Sequence, residues 1–264
     1  MLSRTTVANV SRTDRVKTDF VTVASHQLRT PISIIRWSLD ILTGGRAGKL
    51  SAAQLEYLHQ AYGQVEFMAR IVNDLLRVSR IDEGHVTVRP EPLDLRQLLA
   101  TLANEVKTVA QAYNCRVVVA VPTRLPPIVT DKVKTREVLK ILVDNAIRYT
   151  RGKGVIRIGV RRDRAGRYLI SVADTGIGIP RSQQREIFHK FFRSDNALRA
   201  QTEGLGLQLY IAKHYVDAMG GSLGFRSVPN AGTTFTVTLP ARVAATVSTA
   251  AAVPEVKLAS GELD

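Results

Sequence analysis

Two long stretches in the first third of the chain repeat apolar positions at helical spacing. From about Val16 to Leu42, Phe20, Val23, Gln27, Thr30, Ile34, Trp37 and Ile41 recur at alternating steps of three and four residues. Val21, Ala24, Leu28, Ile35 and Leu42 widen that stripe. From Ala52 to about Arg80 a second series runs through Leu55, Leu58, Tyr62, Val65, Ala69, Val72 and Leu76. Both patterns predict amphipathic helices with coiled-coil-like spacing. The segment TGGRAGKLS between them predicts a loop, and Ser51 an N-cap for the second helix. A hairpin with so wide an apolar stripe cannot bury it alone. Pairing two copies into a four-helix bundle is the simplest closure, so a homodimer is expected from the pattern.

After IDEGHVTVRPEPLD the period changes. Residues 96–113, 132–149 and 205–219 read as helices, and residues 116–121, 155–162, 168–173, 222–227 and 233–239 as strands. Residues 176–203 read as irregular and polar, with an apolar knot at Ile187–Phe192. Helices mixed with strands and ending in a hairpin predict an α+β sandwich. The expected organisation is a lead-in at 1–15, a helical hairpin at 16–85, a linker at 86–94, an α+β domain at 95–240 and a disordered tail at 241–264.

Composition adds limits. No apolar run approaches the ~20 residues that span a bilayer, and the basic N-terminus lacks the apolar stretch of a secretion signal. The single cysteine, Cys115, excludes an internal disulfide framework and agrees with a reducing compartment. A soluble, cytoplasmic chain is therefore expected. The net charge is +14, and more than half of the surplus lies in residues 91–180, densest from Arg148 to Arg167. That segment has neither aromatic interleaving nor a reading-helix pattern, so no nucleic-acid partner is expected.

His26 lies in a polar series, Thr22, His26, Arg29, Ser33, Arg36 and Asp40, which predicts a solvent-facing imidazole. Periodicity alone leaves open an idle surface histidine. Pro31 removes the amide that would bond the Gln27 carbonyl, which predicts a bend just after His26. An exposed imidazole flanked by Arg29 and Thr30 suits acceptance of a phosphoryl group.

The string FVTVASHQLRTPISII resembles the phosphoacceptor box of sensor histidine kinases of two-component systems. The resemblance implies that His26 attacks the γ-phosphate of ATP and that Thr30 orients a water when the reaction runs as a phosphatase. Gln27 stands where the family usually has an acid. A glutamine can accept the imidazole N–H and fix the tautomer, but it cannot take the proton.

Three further motifs fall in residues 141–206. In ILVDNAIRYT, Asn145 offers a hard oxygen for Mg²⁺, and Arg148, one turn on, can reach phosphate. In DTGIGIP, Asp174 ends a strand, and Gly176 and Gly178 allow close backbone approach to a flat ligand. In EGLGLQLYIAKHYV, Gly204 and Gly206 precede a helix whose free amides form an anion site.

Together these resemble the ATP-binding domain shared by histidine kinases, type II topoisomerases, Hsp90-like chaperones and mismatch-repair ATPases. The resemblance implies Mg²⁺ on Asn145, phosphates on Arg148, the base against Tyr149 and the adenine amine on Asp174. Gly176, Gly178, Gly204, Leu205 and Gly206 would shape the pocket and lid, Phe188, Phe191 and Phe192 would lie under the lid, and Gly232 and Thr234 would close the site. Two positions depart from the family: Ile141 replaces a residue that is usually Asn, and Glu203 places an acid before Gly204.

The implied protein is a dimeric kinase core using ATP and Mg²⁺, with a response-regulator receiver domain as partner. It would be cytoplasmic, or the cytoplasmic portion of a membrane-bound sensor. The alternative is a nucleotide-binding scaffold or a phosphatase-biased signalling protein. If the missing acid limits proton removal, Gln27→Glu should accelerate autophosphorylation. An unchanged or slower rate would contradict that reading of Gln27.

Overall fold

The computed structural model describes Ala24 and residues 27–150, 152–200 and 204–245. His26, Glu203 and the expected tail beyond residue 245 lie outside the described residues. Helix α1 (residues 27–43) runs through Pro31. Helix α2 (Ala52–Asp82) opens on a capping box: Ser51 Oγ accepts from the Gln54 amide, and Gln54 Oε1 accepts from the Ser51 amide at 2.8 Å. The two helices are antiparallel. Arg29 meets Asn73 at 3.4 Å, and seven residues later Arg36 meets Glu66 at 3.2 Å.

The seam between these helices is narrower than the sequence pattern implies. Ile32 and Leu39 of α1 bury against Val65, Val72 and Leu76 of α2. The residues expected to lead the α1 stripe, Ile34 and Trp37, are instead 58% and 65% exposed. One helix contributes only the width of a single seam to one neighbour, so the rest of a wide stripe is left for another surface.

The second domain has two layers. A five-stranded sheet runs in the order β2 (Cys115–Ala120), β4 (Gly154–Arg162), β5 (Tyr168–Ala173), β7 (Gly232–Leu239) and β6 (Ser222–Val228). Only the β2–β4 pair is parallel. One face carries Ile156, Ile158, Ile170, Val172, Phe235 and Val237 into the core, with α3 (Leu95–Ala112), α4 (Lys132–Tyr149) and α6 (Gln208–Ala218) above it. The other face is polar, as the two-residue period of a half-buried sheet requires.

Two short strands, β1 (Glu91–Leu93) and β3 (Ile128–Thr130), pair antiparallel at the domain entrance, and α5 (Asp195–Ala200) interrupts the segment expected to be irregular. Chain past the expected boundary at 240 still packs: Val243 is buried, and its amide bonds the Val129 carbonyl at 2.8 Å. Asp131 caps α4. It accepts from the Lys134 and Arg89 amides and from the Lys134 ammonium. Burial pushes this carboxyl up, but those donors outweigh it and hold it below the usual range.

The domains are joined along the last turns of α2. Val78 and Ile81 sink into the core of the second domain, while Leu76, two residues before Val78, belongs to the hairpin core. Polar contacts line the same seam. Arg77 bridges Asp74 at 3.1 Å and Glu137 of α4 at 2.8 Å. The Gln208 amide donates to Asp74, the Tyr210 hydroxyl donates to Asp82 at 2.7 Å, and Lys190 pairs with Asp82.

Desolvation raises the carboxyl pKa of both Asp74 and Glu137, against the pull of Arg77. A raised native pKa favours folding below the unfolded pKa, and that contribution is lost as pH rises through the native value. Removing Arg77 raises both groups further. Arg77→Ala should therefore cost about 1–3 kcal/mol near pH 7.5, and the cost should shrink on acidification toward pH 5. Urea unfolding of both proteins at the two pH values checks this, and a pH-independent difference would contradict it.

Candidate active site

A cavity of about 900 Å³ opens between α2, α4 and the loop before α6. Asn145, Arg148 and Tyr149 line it from α4, and Asp174 and Gly178 from the end of β5. Gly204, Leu205 and Gly206 line it from the opposite wall. The structure thus brings most of the residues singled out from sequence into one space. Gly176 and Thr234 are not on its wall.

Asp174 is held from its own backbone. Its Oδ1 accepts from the Gly176 amide at 2.8 Å and the Thr233 amide at 3.2 Å. Among the described residues Oδ2 has no hydrogen-bond partner, so it is left to accept from a ligand. Desolvation pushes this carboxyl up, partly offset by the two amides. Gly176 acts through packing rather than ligand contact. A Cβ there would sit 2.4 Å from the Tyr149 carbonyl, the group that accepts from the Ile177 amide at 3.0 Å. This close approach ties the end of β5 to the end of α4 and sets Asp174 beside Tyr149.

Thr234 requires correction. Along β7, Thr233 and Phe235 point inward and line the cavity, while Thr234 lies on the polar face of the sheet. Thr233 reaches the site through its amide to Asp174, and its hydroxyl meets Ser227 at 2.8 Å. The α6 helix also starts later than expected, at Gln208, so Gly204 and Gly206 belong to the loop before it. Leu207 caps that helix without a side-chain hydrogen bond, which leaves the first amides for another acceptor.

The loop before α6 is braced from below. Gly206 has φ +72°, and a Cβ there would come 2.5 Å from the Phe192 carbonyl. Phe192 lines the cavity, and Phe188 packs edge-on against Phe225, but Phe191 is exposed. Arg193 donates to the Gly204 carbonyl at 3.1 Å, and Asn196 donates to the Gly178 carbonyl at 2.8 Å. The two glycine motifs are therefore linked through residues 193–196, which sequence reasoning did not single out.

The charges on the wall divide into paired and open groups. Lys140 pairs with Asp144, and Arg136 with Glu105. Arg148 has no ion pair among the described residues and is left for an anion. Ile141 is buried on the wall, so this position adds an apolar surface where a polar group was the family expectation. Gln27 and Thr30 are exposed on α1.

The likeness to known proteins agrees with this site. Residues 16–84 match the His Kinase A (phospho-acceptor) domain, and residues 130–243 match the histidine kinase-, DNA gyrase B- and HSP90-like ATPase domain. Between them the two domains take up most of the chain. It belongs to the histidine kinases.

Among its relatives, this histidine kinase core is 30% identical to the circadian input-output histidine kinase CikA of Synechococcus elongatus, over 85% of this chain and 30% of that protein. It is also 30% identical to the sensor histidine kinase WalK of Bacillus subtilis, over 89% of this chain and 38% of that one. The chain thus spans well under half of these relatives. Among solved structures, full-length ShkA in complex with AMPPNP aligns with a TM-score of 0.72 at 27% identity, covering 86% of this chain and 47% of ShkA.

An ionised Asp174 is the better acceptor for an adenine amine. Nucleotide affinity of the kinase core should therefore fall as pH drops through the raised pKa of Asp174. Asp174→Asn should weaken binding of a non-hydrolysable ATP analogue by roughly 10- to 100-fold and flatten that pH dependence. Titration calorimetry between pH 8 and pH 5 checks both, and unchanged affinity in the variant would contradict the assignment.

Proposed function

We propose that this chain is the catalytic core of a sensor histidine kinase that moves the γ-phosphate of ATP to His26, and from there to an aspartate of a response-regulator receiver domain. The observation that carries this reading is the cavity shared by Asp174, Asn145, Arg148 and the Gly204–Gly206 loop, in a chain that also bears SHQLRTP.

ATP enters with its adenine amine toward Asp174 Oδ2 and its base against Tyr149. Its phosphates lie toward Arg148 and the uncapped amides of α6. A neutral ring nitrogen of His26 attacks the γ-phosphorus. The P–N bond forms, the bond from that phosphorus to the β–γ bridging oxygen breaks, and ADP leaves with the electron pair. The other ring nitrogen then loses its proton to water, because Gln27 can orient that N–H but cannot accept its proton. Positioning and charge neutralisation supply the acceleration.

Mg²⁺ fits the donors present. Asn145 offers a neutral hard oxygen on the cavity wall, beside the place where phosphate oxygens would complete a shell. When bound, the cation would neutralise charge on the phosphates. Support for a homodimer comes from α1, where Leu28, Ile34, Ile35 and Trp37 are exposed apolar side chains that a second copy would cover. Gln27 also keeps a second reading in view, a phosphatase-biased signalling protein with Thr30 as the group that orients water.

Incubation with γ-labelled Mg-ATP should leave acid-labile, alkali-stable label on the wild type and none on His26→Ala. Nucleotide binding without such label would favour the phosphatase or scaffold reading.

A further inference from the structure

Helices α3, α4 and α6 pack on the core face of the five-stranded sheet, and the opposite face carries Arg116, Arg157, Arg161 and Arg226. All four are exposed, and among the described residues none of them makes an ion pair. Strand register sets their spacing. Arg157 and Arg226 end one row that crosses β4, β5, β7 and β6 through Ala173 and Thr234. Three strand spacings put them about 14 Å apart, and Arg161 lies about 13 Å along β4 from Arg157. Arg116 stands opposite Val155, two residues before Arg157. The next row holds only Ala120, Gly159, Ser171, Thr236 and Gly224. No strand position on this face is acidic or aromatic.

That composition selects among polyanions. The short side chains form a flat floor whose only charges are guanidinium groups. Without aromatic rings it gives the bases of a single strand nothing to stack on. A flat sheet face also presents no helix or ribbon to the groove of a duplex. It lacks the large central anchors that hold protein interfaces together. A flat array of separated cations matches a surface whose negative charges are themselves spread over a plane.

We propose that this face is an electrostatic docking surface for an anionic phospholipid bilayer. The nucleotide cavity takes Thr233 and Phe235 from the core face of β7, so it stays open when the outer face is covered. Each basic side chain near such a bilayer strengthens binding roughly fivefold, and salt screens the attraction.

Sedimentation of the full chain with vesicles at low ionic strength tests this. Vesicles of phosphatidylcholine mixed with phosphatidylserine should retain the chain, and vesicles of phosphatidylcholine alone should not. The triple variant Arg157→Gln, Arg161→Gln, Arg226→Gln should lose retention roughly 100-fold with nucleotide affinity unchanged. The variant Arg46→Gln, Lys49→Gln, Arg185→Gln removes as much charge from exposed positions elsewhere and should lose far less. A quencher on the lipid headgroup should dim a fluorophore at Thr236→Cys but not one at Val109→Cys on α3, both in a Cys115→Ala background. That readout stands even where the triple variant fails to fold. Failure to bind the mixed vesicles, equal losses in the two triple variants, or quenching at Val109→Cys rather than Thr236→Cys would overturn the proposal. Tighter retention by an oligonucleotide would overturn it in favour of nucleic acid. Vesicle binding seen only once residues 246–264 are removed would assign the face to that segment instead.

Discussion

One unbroken helix belongs to two hydrophobic cores, and the arrangement of the site depends on that. Val65, Val72 and Leu76 of α2 pack against α1, whereas Val78 and Ile81 pack beneath the sheet domain. A helix is stiff over this length, since each turn is hydrogen-bonded to the next. Burying its last turns in the second core fixes how that domain meets the hairpin. About 1.5–3 kcal/mol for each fully buried aliphatic side chain is enough to favour docking over separation. Apolar burial is not directional, however, and it would tolerate rotation about the helix.

Direction comes from the polar seam. Asp74, Arg77 and Asp82 of α2 are matched to Gln208, Glu137, Lys190 and Tyr210, which lie on three separate segments of the second domain. Two of the carboxylates are desolvated enough for their pKa values to rise. Such pairs add little to stability but penalise misalignment, because a buried charge without its partner is costly. Asp74, Arg77, Glu137 and Gln208 also wall the cavity. Docking the domains and shaping the pocket beside the acceptor helix are therefore one event. Gln208 sits just after the glycine loop, so that loop of the cavity wall is tied to α2 through Asp74.

Much of this was legible in the sequence, because long periodic helices and compact motifs announce themselves locally. The limits of α4 and β5, and the motif residues Asn145, Arg148, Tyr149, Asp174, Gly178 and Gly204–Gly206 on the cavity wall, follow from spacing and residue chemistry. The parts that were not legible depend on three-dimensional register. AGTTF holds two adjacent threonines, and only the pairing of β7 with β5 turns Thr233 toward Asp174 and Thr234 to the outer face. A wide apolar stripe does not reveal which of its seams faces the sister helix, so Ile32 and Leu39 were passed over for Ile34 and Trp37. β1 and β3 have three residues each, too few to display a period. Asn73 sits in no motif, and Asn73 and Gln208 gain their contacts from segments far away in the chain.

The most direct test of this account is the distance between the two domains in solution. Spin labels at Glu56→Cys and Arg185→Cys, in a Cys115→Ala background and diluted with unlabelled chain, report the placement of the sheet domain relative to α2. Pulsed EPR should give one narrow distance that broadens when Arg77 and Asp82 are both changed to alanine. A broad distribution in the parent, or one indifferent to losing the polar seam, would contradict the claim that α2 holds the nucleotide cavity in place beside the acceptor helix.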